Sequence, residues 1–380
     1  MGSPSSCHGR KRQRREIGDP CCYCAERKHL YLALDDERGG NPGYAIHKLD
    51  ADNMEMEDHL PEPVLRVAAP GRGPMAFTAV ATSIFVATNP DCDRYDDRAP
   101  PTLVYDTRTG ALALGPHLPG SFLEGGPMAV GEKLYGIARS VRRGGKDDDG
   151  EELIPSSYVA LQVMSWAPAA LCLDPWDPAP MAWSWRQGQS TPPPMSTTLG
   201  GAVITSYALH PDGHTVFVST RHDTHSLDTS DGDGVWKELG DWVLPFQGQA
   251  YFDAELDAWV GLHRKEDGYV CCCPVVSWGT VTTRPPECTI LKEKLFRSKD
   301  EKHPNVQHMK ATLTYMGDSR YCLAENILDH DNVFQGTLRV TLFGLEYGRK
   351  GELQTKVHRT TRSYPLSKIG TSFSHEAFWL

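Results

Sequence analysis

The side chains of this sequence that could do chemistry fall in a few places. A compact cationic run, Lys11-Arg12-Gln13-Arg14-Arg15, lies near its start. Lys11, Arg12, Arg14 and Arg15 suit recognition by a nuclear-import receptor or a contact with phosphates, and a solvating tail is the plain alternative. Cys21-x-x-Cys24, with Cys7, Cys22 and His29 close by, offers half of what a structural zinc needs, namely two spaced pairs of nitrogen or sulfur donors. The second pair is missing. Cys271-Cys272-Cys273 has no spacer, and on a strand alternate residues face opposite ways, so Cys271 and Cys273 share one face and Cys272 takes the other. The triplet is expected to pack as small apolar residues. His210, His214, His222 and His225 are read as surface or hairpin-end residues rather than as convergent ligands.

Signatures of catalysis are missing or incomplete. Gly370-Thr371-Ser372-Phe373-Ser374 lacks the second glycine of a nucleophile elbow. His375-Glu376 lacks the second histidine of a zinc-protease helix. Gly144-Gly145-Lys146 lacks both the upstream glycine and the following hydroxyl of a phosphate loop. The acidic turn Ser230–Trp236 stands alone and is read as a turn. No catalytic residue, cofactor or metal is therefore expected.

The elements that would have to position any site are legible through a pattern that returns. An apolar residue, an acid, a polar turn and a second apolar stretch recur at Leu49-Asp50, Tyr105-Asp106, Leu173-Asp174, Leu227-Asp228 and Leu345-Glu346. One copy has lost its signature between the last two. A spacing of about 50–60 residues with strand-turn-strand content predicts a β-propeller. In Tyr105–Gly110 the mechanism is visible: Asp106 and Thr107 can bond the turn backbone, and Gly110 can take a positive φ. Pro211-Asp212-Gly213 is a second strong turn between β-rich runs. The recurring aspartates are read as turn residues on separate blades, and Trp185, Trp236 and Trp259 as packing between blades. Six units fit residues 28–366, with 367–380 helping to close the ring. The segment 142–153 is expected to be a solvated loop.

Composition agrees. The chain has 35 Gly and 28 Pro, a turn-rich balance that favours many short strands, and its 39% hydrophobic content can fill a sizeable core. Net charge is −10 despite the basic run, so the body is acidic and repels a phosphate backbone. No run approaches the roughly 20 apolar residues of a membrane helix. Adjacent cysteines and an odd total of 11 fit reduced thiols better than a disulfide framework.

HSLDTSDGDGVWKEL and YDTRTGALALGPHLP with VGEKLYGI resemble the kelch repeat, although Gly125-Gly126 is the one glycine pair in a blade context and sits before its strand. YLALDD, LPEPVLRV, YALHPDGHTVFVS, GDWVLPFQGQAYFDAELDAWVGL, EKLFR, YMGDSRYCLAE, FGLEYG-x-x-GEL and AFWL together resemble an uncharacterised kelch-like protein family expanded in rice and other grasses. That resemblance implies a fold and no chemistry. An F-box, which many plant kelch-like proteins carry, is not expected in 27 polar residues.

The expectation is thus an all-β chain: residues 1–27 a disordered basic tail, and 28–380 one kelch-like β-propeller of six blades. Its expected role is a non-catalytic scaffold in nucleus and cytoplasm, a monomer binding another protein on one rim through loops such as 89–101 and 140–157. A propeller hydrolase or oxidase with an axial site is the alternative. A nucleic-acid-associated protein acting through the basic tail is the second alternative.

Overall fold

The computed structural model describes residues 27–36, 43–54, 59–69, 75–88, 100–122, 126–142, 156–168, 181–189, 204–231, 234–265, 268–277, 284–296, 306–329, 332–356, 359–367 and 375–380. Within these the chain is all-β, built from antiparallel meanders. Among the described residues no helix is long and apolar enough to cross a membrane.

The first meander is β1 (Leu30–Asp35), β2 (Gly43–Leu49) and β3 (Leu65–Ala68). The second is β4 (Met75–Val80), β5 (Ser83–Thr88), β6 (Pro101–Asp106) and β7 (Leu112–His117). The third holds β8 (Ser121–Phe122), β9 (Met128–Val130), β10 (Lys133–Arg142), β11 (Ser156–Pro168) and β12 (Met181–Gln187). There β10 pairs with β11 across the acidic segment, so that hairpin forms as its flanking strands predict.

Two further meanders are β13 (Ser206–Leu209), β14 (Thr215–Ser219), β15 (Thr224–Asp228) and β16 (Val235–Gly240), then β17 (Phe246–Asp253), β18 (Ala258–His263), β19 (Val270–Pro274) and β20 (Thr289–Ile290). A short parallel pairing of β13 with β17 joins them into one eight-stranded sheet. The chain ends with β21 (Val306–Gly317), β22 (Arg320–Asp329), β23 (Asn332–Tyr347), β24 (Leu353–Thr355), β25 (Thr360–Ser367) and β26 (His375–Trp379). The last strand pairs antiparallel with the first: β26 runs beside β1 from Leu30↔Trp379 to Leu34↔His375.

The turns follow from local chemistry. Asp106 accepts backbone N–H groups of Arg108 and Thr109 at 2.8 and 3.3 Å, and Gly110 sits at φ +72°. Asp212 accepts N–H of His214 and Thr215 at 2.9 and 2.8 Å, with Gly213 at φ +79°. Between β21 and β22, Asp318 and Ser319 are both left-handed, the geometry that matches the twist of a tight hairpin.

Apolar residues on both faces of each meander form the core, layer by layer. Tyr31 and Ile46 pack with Ile84 and Tyr105. Phe85 and Val104 pack with Leu134 and Met164. Tyr135 and Leu161 meet Val216 and Leu227. Phe217 and Leu239 meet Phe246 and Trp259. Val260 and Cys272 meet Tyr321 and Phe343. Cys322 and Val340 meet Leu30 and Leu32. Each fully buried aliphatic side chain of this kind contributes on the order of 1.5–3 kcal/mol. The tryptophans sit between meanders as expected: Trp185 tilts against Phe122 and lies beside the Phe85 layer, Trp236 flanks the Leu161 layer, and buried Trp259 donates its indole N–H to the Leu209 carbonyl at 2.8 Å.

One buried carboxylate ties two meanders together. Asp253, in the β17–β18 turn, accepts the Ser319 hydroxyl at 2.7 Å and the Tyr321 phenol at 2.6 Å, as well as N–H of Glu255 and Leu256 at 3.0 and 3.2 Å. Burial, and then this acceptor, push the Tyr321 phenol well above its usual range, so it stays a donor.

Candidate functional site

Strands of successive meanders face a common space. A cavity of about 420 Å³ is walled by β4, the segment entering β9, the start of β13, β17, β21 and β26. That volume lies within the range of small-ligand sites, roughly 300–1,000 Å³. On a strand, alternate side chains share a face, and β21 shows it: Lys310, Thr312 and Thr314 all reach towards β26. Lys310 Nζ donates to Glu376 Oε1 at 2.6 Å and to the His375 carbonyl at 3.1 Å. Thr314 donates to the Ala377 carbonyl at 3.2 Å. The Thr312 hydroxyl lies 2.7 Å from His375 Nε2.

On the same cavity wall, Gln249 accepts from Tyr207 at 3.0 Å and from Tyr251 at 3.3 Å through its Oε1. A bulge aims this group: the register of β17 against β18 shifts between Gln247 and Tyr251, and Gly248 takes φ +73°. Both phenols are half-buried at the cavity, and desolvation there raises their pKa; the Glu376 charge adds to the rise for Tyr207, and Tyr207 and then Glu376 for Tyr251. Both tyrosines therefore remain neutral donors. Phe77 and Phe378 supply apolar wall.

Among the described residues the wall offers donors, acceptors and ring faces, and its paired charges, Lys310 and Glu376, cancel. Such a surface can hold a polar, uncharged group.

The sequence-predicted residues are placed as follows. Lys11, Arg12, Arg14 and Arg15 lie outside the described residues, as do Cys7, Cys21, Cys22, Cys24, Asp174, Gly144–Lys146 and Gly370–Ser374. Asp50, Asp106 and Asp228 take turn roles on different meanders; Asp50 accepts from Asp52 N and Asn53 Nδ2 at 3.1 and 2.8 Å, and Asp228 from Ser230 N at 2.9 Å. Burial raises these carboxyls, but the turn donors outweigh it and hold all three below the usual range. Glu346 differs: it lies inside β23 and accepts from Gln354 on β24 at 3.0 Å, so its acid serves a strand pair.

The four clustered histidines do not converge. His210 sits 2.9 Å from Asp212 and His214 3.1 Å from Asp228, while His222 is exposed. His225 corrects the surface reading, because as part of β15 it is buried. Cys271 and Cys273 share one layer and Cys272 enters the next, as alternation predicts.

Sequence reasoning missed Tyr207, Gln249, Tyr251, Lys310 and Glu376. The one available signal was the polar alternation Lys310-x-Thr312-x-Thr314 in an otherwise apolar strand.

A family model described as a protein of unknown function (DUF1668) matches residues 27–364, and the chain belongs to that family. No curated protein matches the chain. Among solved structures it is similar to the complex of KlAtg21 with the coiled-coil of AgAtg16, at 12% identity over 87% of this chain and 82% of that one, with a TM-score of 0.35. It is also similar to KlHsv2 with loop 6CD replaced by a Gly-Ser linker, at 8% identity over 84% and 92% with a TM-score of 0.36. A functionally unknown protein from Desulfotomaculum acetoxidans matches at 8% identity over 89% and 99%, with a TM-score of 0.38.

Proposed function

We propose that this DUF1668 chain is a six-bladed, kelch-like β-propeller that acts as a binding scaffold without chemistry of its own, holding a partner protein over its axial cavity. The junctions between meanders support the blade count: six are filled by apolar layers, the one between the second and third meanders by two, Phe85 with Met164 and Ala87 with Ala138. Taken in chain order they link each meander to the next, and the layer of Cys322 and Val340 with Leu30 and Leu32 leads from the last back to the first. On this reading β26, contributed by the C-terminus, is the innermost strand of the first blade, and the eight-stranded sheet is two blades joined near the axis. A propeller leaves only short, protected edges.

The observation that carries the functional reading is the cavity wall, which Gln249 with Tyr207 and Tyr251 shares with the Lys310–Glu376 pair. Tyrosines with a polar tip suit recognition, and charges that cancel favour an uncharged polar segment: backbone amides, Asn, Gln or Ser of a partner loop. The test compares proteins that co-purify with the full chain and with a Gln249→Ala/Tyr251→Phe variant, by quantitative mass spectrometry. A partner held by the wild type should be depleted about tenfold or more, as the loss of 1.4 kcal/mol or more implies. An unchanged partner set, with an unchanged melting curve, would overturn the reading.

The Thr312–His375 contact favours one second reading, a hydrolase with an axial nucleophile. It requires ester turnover by the full chain that Thr312→Val abolishes; turnover that is absent, or indifferent to the change, removes it. For location, the proposal is nucleus plus cytoplasm through Lys11, Arg12, Arg14 and Arg15. Alanine at all four should remove the nuclear enrichment of a fluorescent fusion, and identical distributions would refute it.

A further inference from the structure

We propose that His263, Cys271 and Cys288 form a zinc site on one face of the β17–β20 sheet, separate from the cavity wall. Their three donor atoms all lie within 4.8 Å of one another. Strand pairing makes the convergence. β18 and β19 set Gly261 opposite Cys271, so His263, two positions along β18, projects from the same face. β19 and β20 set Ile290 opposite Cys271, which brings Cys288, two residues earlier, to that face as well. Three neighbouring strand segments thus each contribute one ligand. Sixteen residues of chain lie between the two cysteines, which is why no spaced pair is visible in the sequence.

The donor set is chemically selective. Two thiolates and an imidazole are soft and borderline ligands of the kind zinc takes, in a tetrahedron with one position left over. With Zn–S at about 2.3 Å and Zn–N at about 2.0–2.1 Å, tetrahedral ligand atoms stand roughly 3.5–3.8 Å apart. Small side-chain adjustments therefore close the site. Cys271 is fully buried, while His263 and Cys288 are half-buried, so an ion can enter from their side and keep a water as its fourth ligand. Without a cation both cysteines are reduced thiols, and that of Cys271 lies 3.9 Å from the Pro245 carbonyl. Metal binding replaces the thiol protons and releases them to solvent.

The site has a mechanical consequence. β20 is two residues long and pairs with β19 at two register positions, helped by the Leu291 N–H on the Val270 carbonyl at 2.9 Å, and the chain after it supplies Leu291, Leu295 and Phe296 to the next apolar layer. A zinc bound through Cys288 would staple this segment to the sheet.

The test uses the full-length protein purified in reductant. Metal content is measured after loading with zinc and gel filtration, and cobalt is substituted to read thiolate coordination by its charge-transfer absorption. The expected result is about one zinc per chain and a cobalt–thiolate band. Cys288→Ser and His263→Gln, both at half-buried positions, should weaken binding at least 100-fold, whereas Cys272→Ser, on the opposite face, should retain it. Because Cys21 and Cys24 remain in every variant, metal that survives both changes would overturn the proposal. So would no metal above background in the wild type, or a Cys271–Cys288 disulfide that persists in reductant.

Discussion

Asp253 carries more of the architecture than any other charged residue described. Its carboxylate satisfies two backbone N–H groups of its own turn and two hydroxyls from the neighbouring meander. Asp253→Ala leaves Ser319 and Tyr321 hydroxyls buried without an acceptor, which costs about 3–5 kcal/mol, and Tyr321→Phe costs about 1–3 kcal/mol. Urea unfolding monitored by tryptophan fluorescence checks both, and equal midpoints for wild type and Asp253→Ala would contradict this role. A second residue-scale prediction concerns pH. Burial lowers the His225 pKa below 6.5, against the opposing charges of Asp223 and Glu238, and His47 is lowered chiefly by burial too. The unfolded chain then takes up these protons first as pH falls, so stability should be level for these groups above 6.5 and decline below it, towards their folded pKa values. The urea midpoint should drop between about pH 7.5 and 5.5, and less steeply in His225→Gln. At this scale the sequence is only partly legible. A turn aspartate such as Asp106 announces itself by its neighbours Thr107 and Gly110, whereas Asp253 has a similar local context and gains its role from residues more than sixty positions away.

At the scale of elements, the hairpins are local and the closures are not. Strand-turn-strand units around Asp106 and Asp212 follow from adjacent residues, so they can be read directly. Asp212→Ala removes an acceptor for His214 N, Thr215 N and the Thr215 hydroxyl and should cost about 1–2 kcal/mol without changing the fold. The parallel β13–β17 contact and the β26–β1 pairing depend on register between distant segments, which no local pattern encodes. Removing residues 375–380 would expose β1 along five paired positions and open the cavity wall at Glu376, Ala377 and Phe378. The shortened chain should melt markedly lower or aggregate. A melting temperature equal to that of the full chain would show that β26 closes nothing.

For the whole molecule, the all-β character was legible because turn chemistry repeats at Asp50, Asp106 and Asp228, and the succession of apolar layers supports the proposed propeller. The cavity was not legible, because Gln249, Lys310 and Glu376 lie on three strands far apart in sequence that line one space. The same holds for His263, Cys271 and Cys288, whose meeting depends on two strand registers. The proposal rests on six blades, two of them joined in one eight-stranded sheet, enclosing one polar cavity that receives a partner. An experimental density map of the full-length protein tests this most directly. It should show six blades around the axis, β26 hydrogen-bonded to β1, and Gln249 lining one cavity with the Lys310–Glu376 pair. Seven blades, an open arrangement in which β26 leaves β1 unpaired, or an axial space filled by side chains would contradict it.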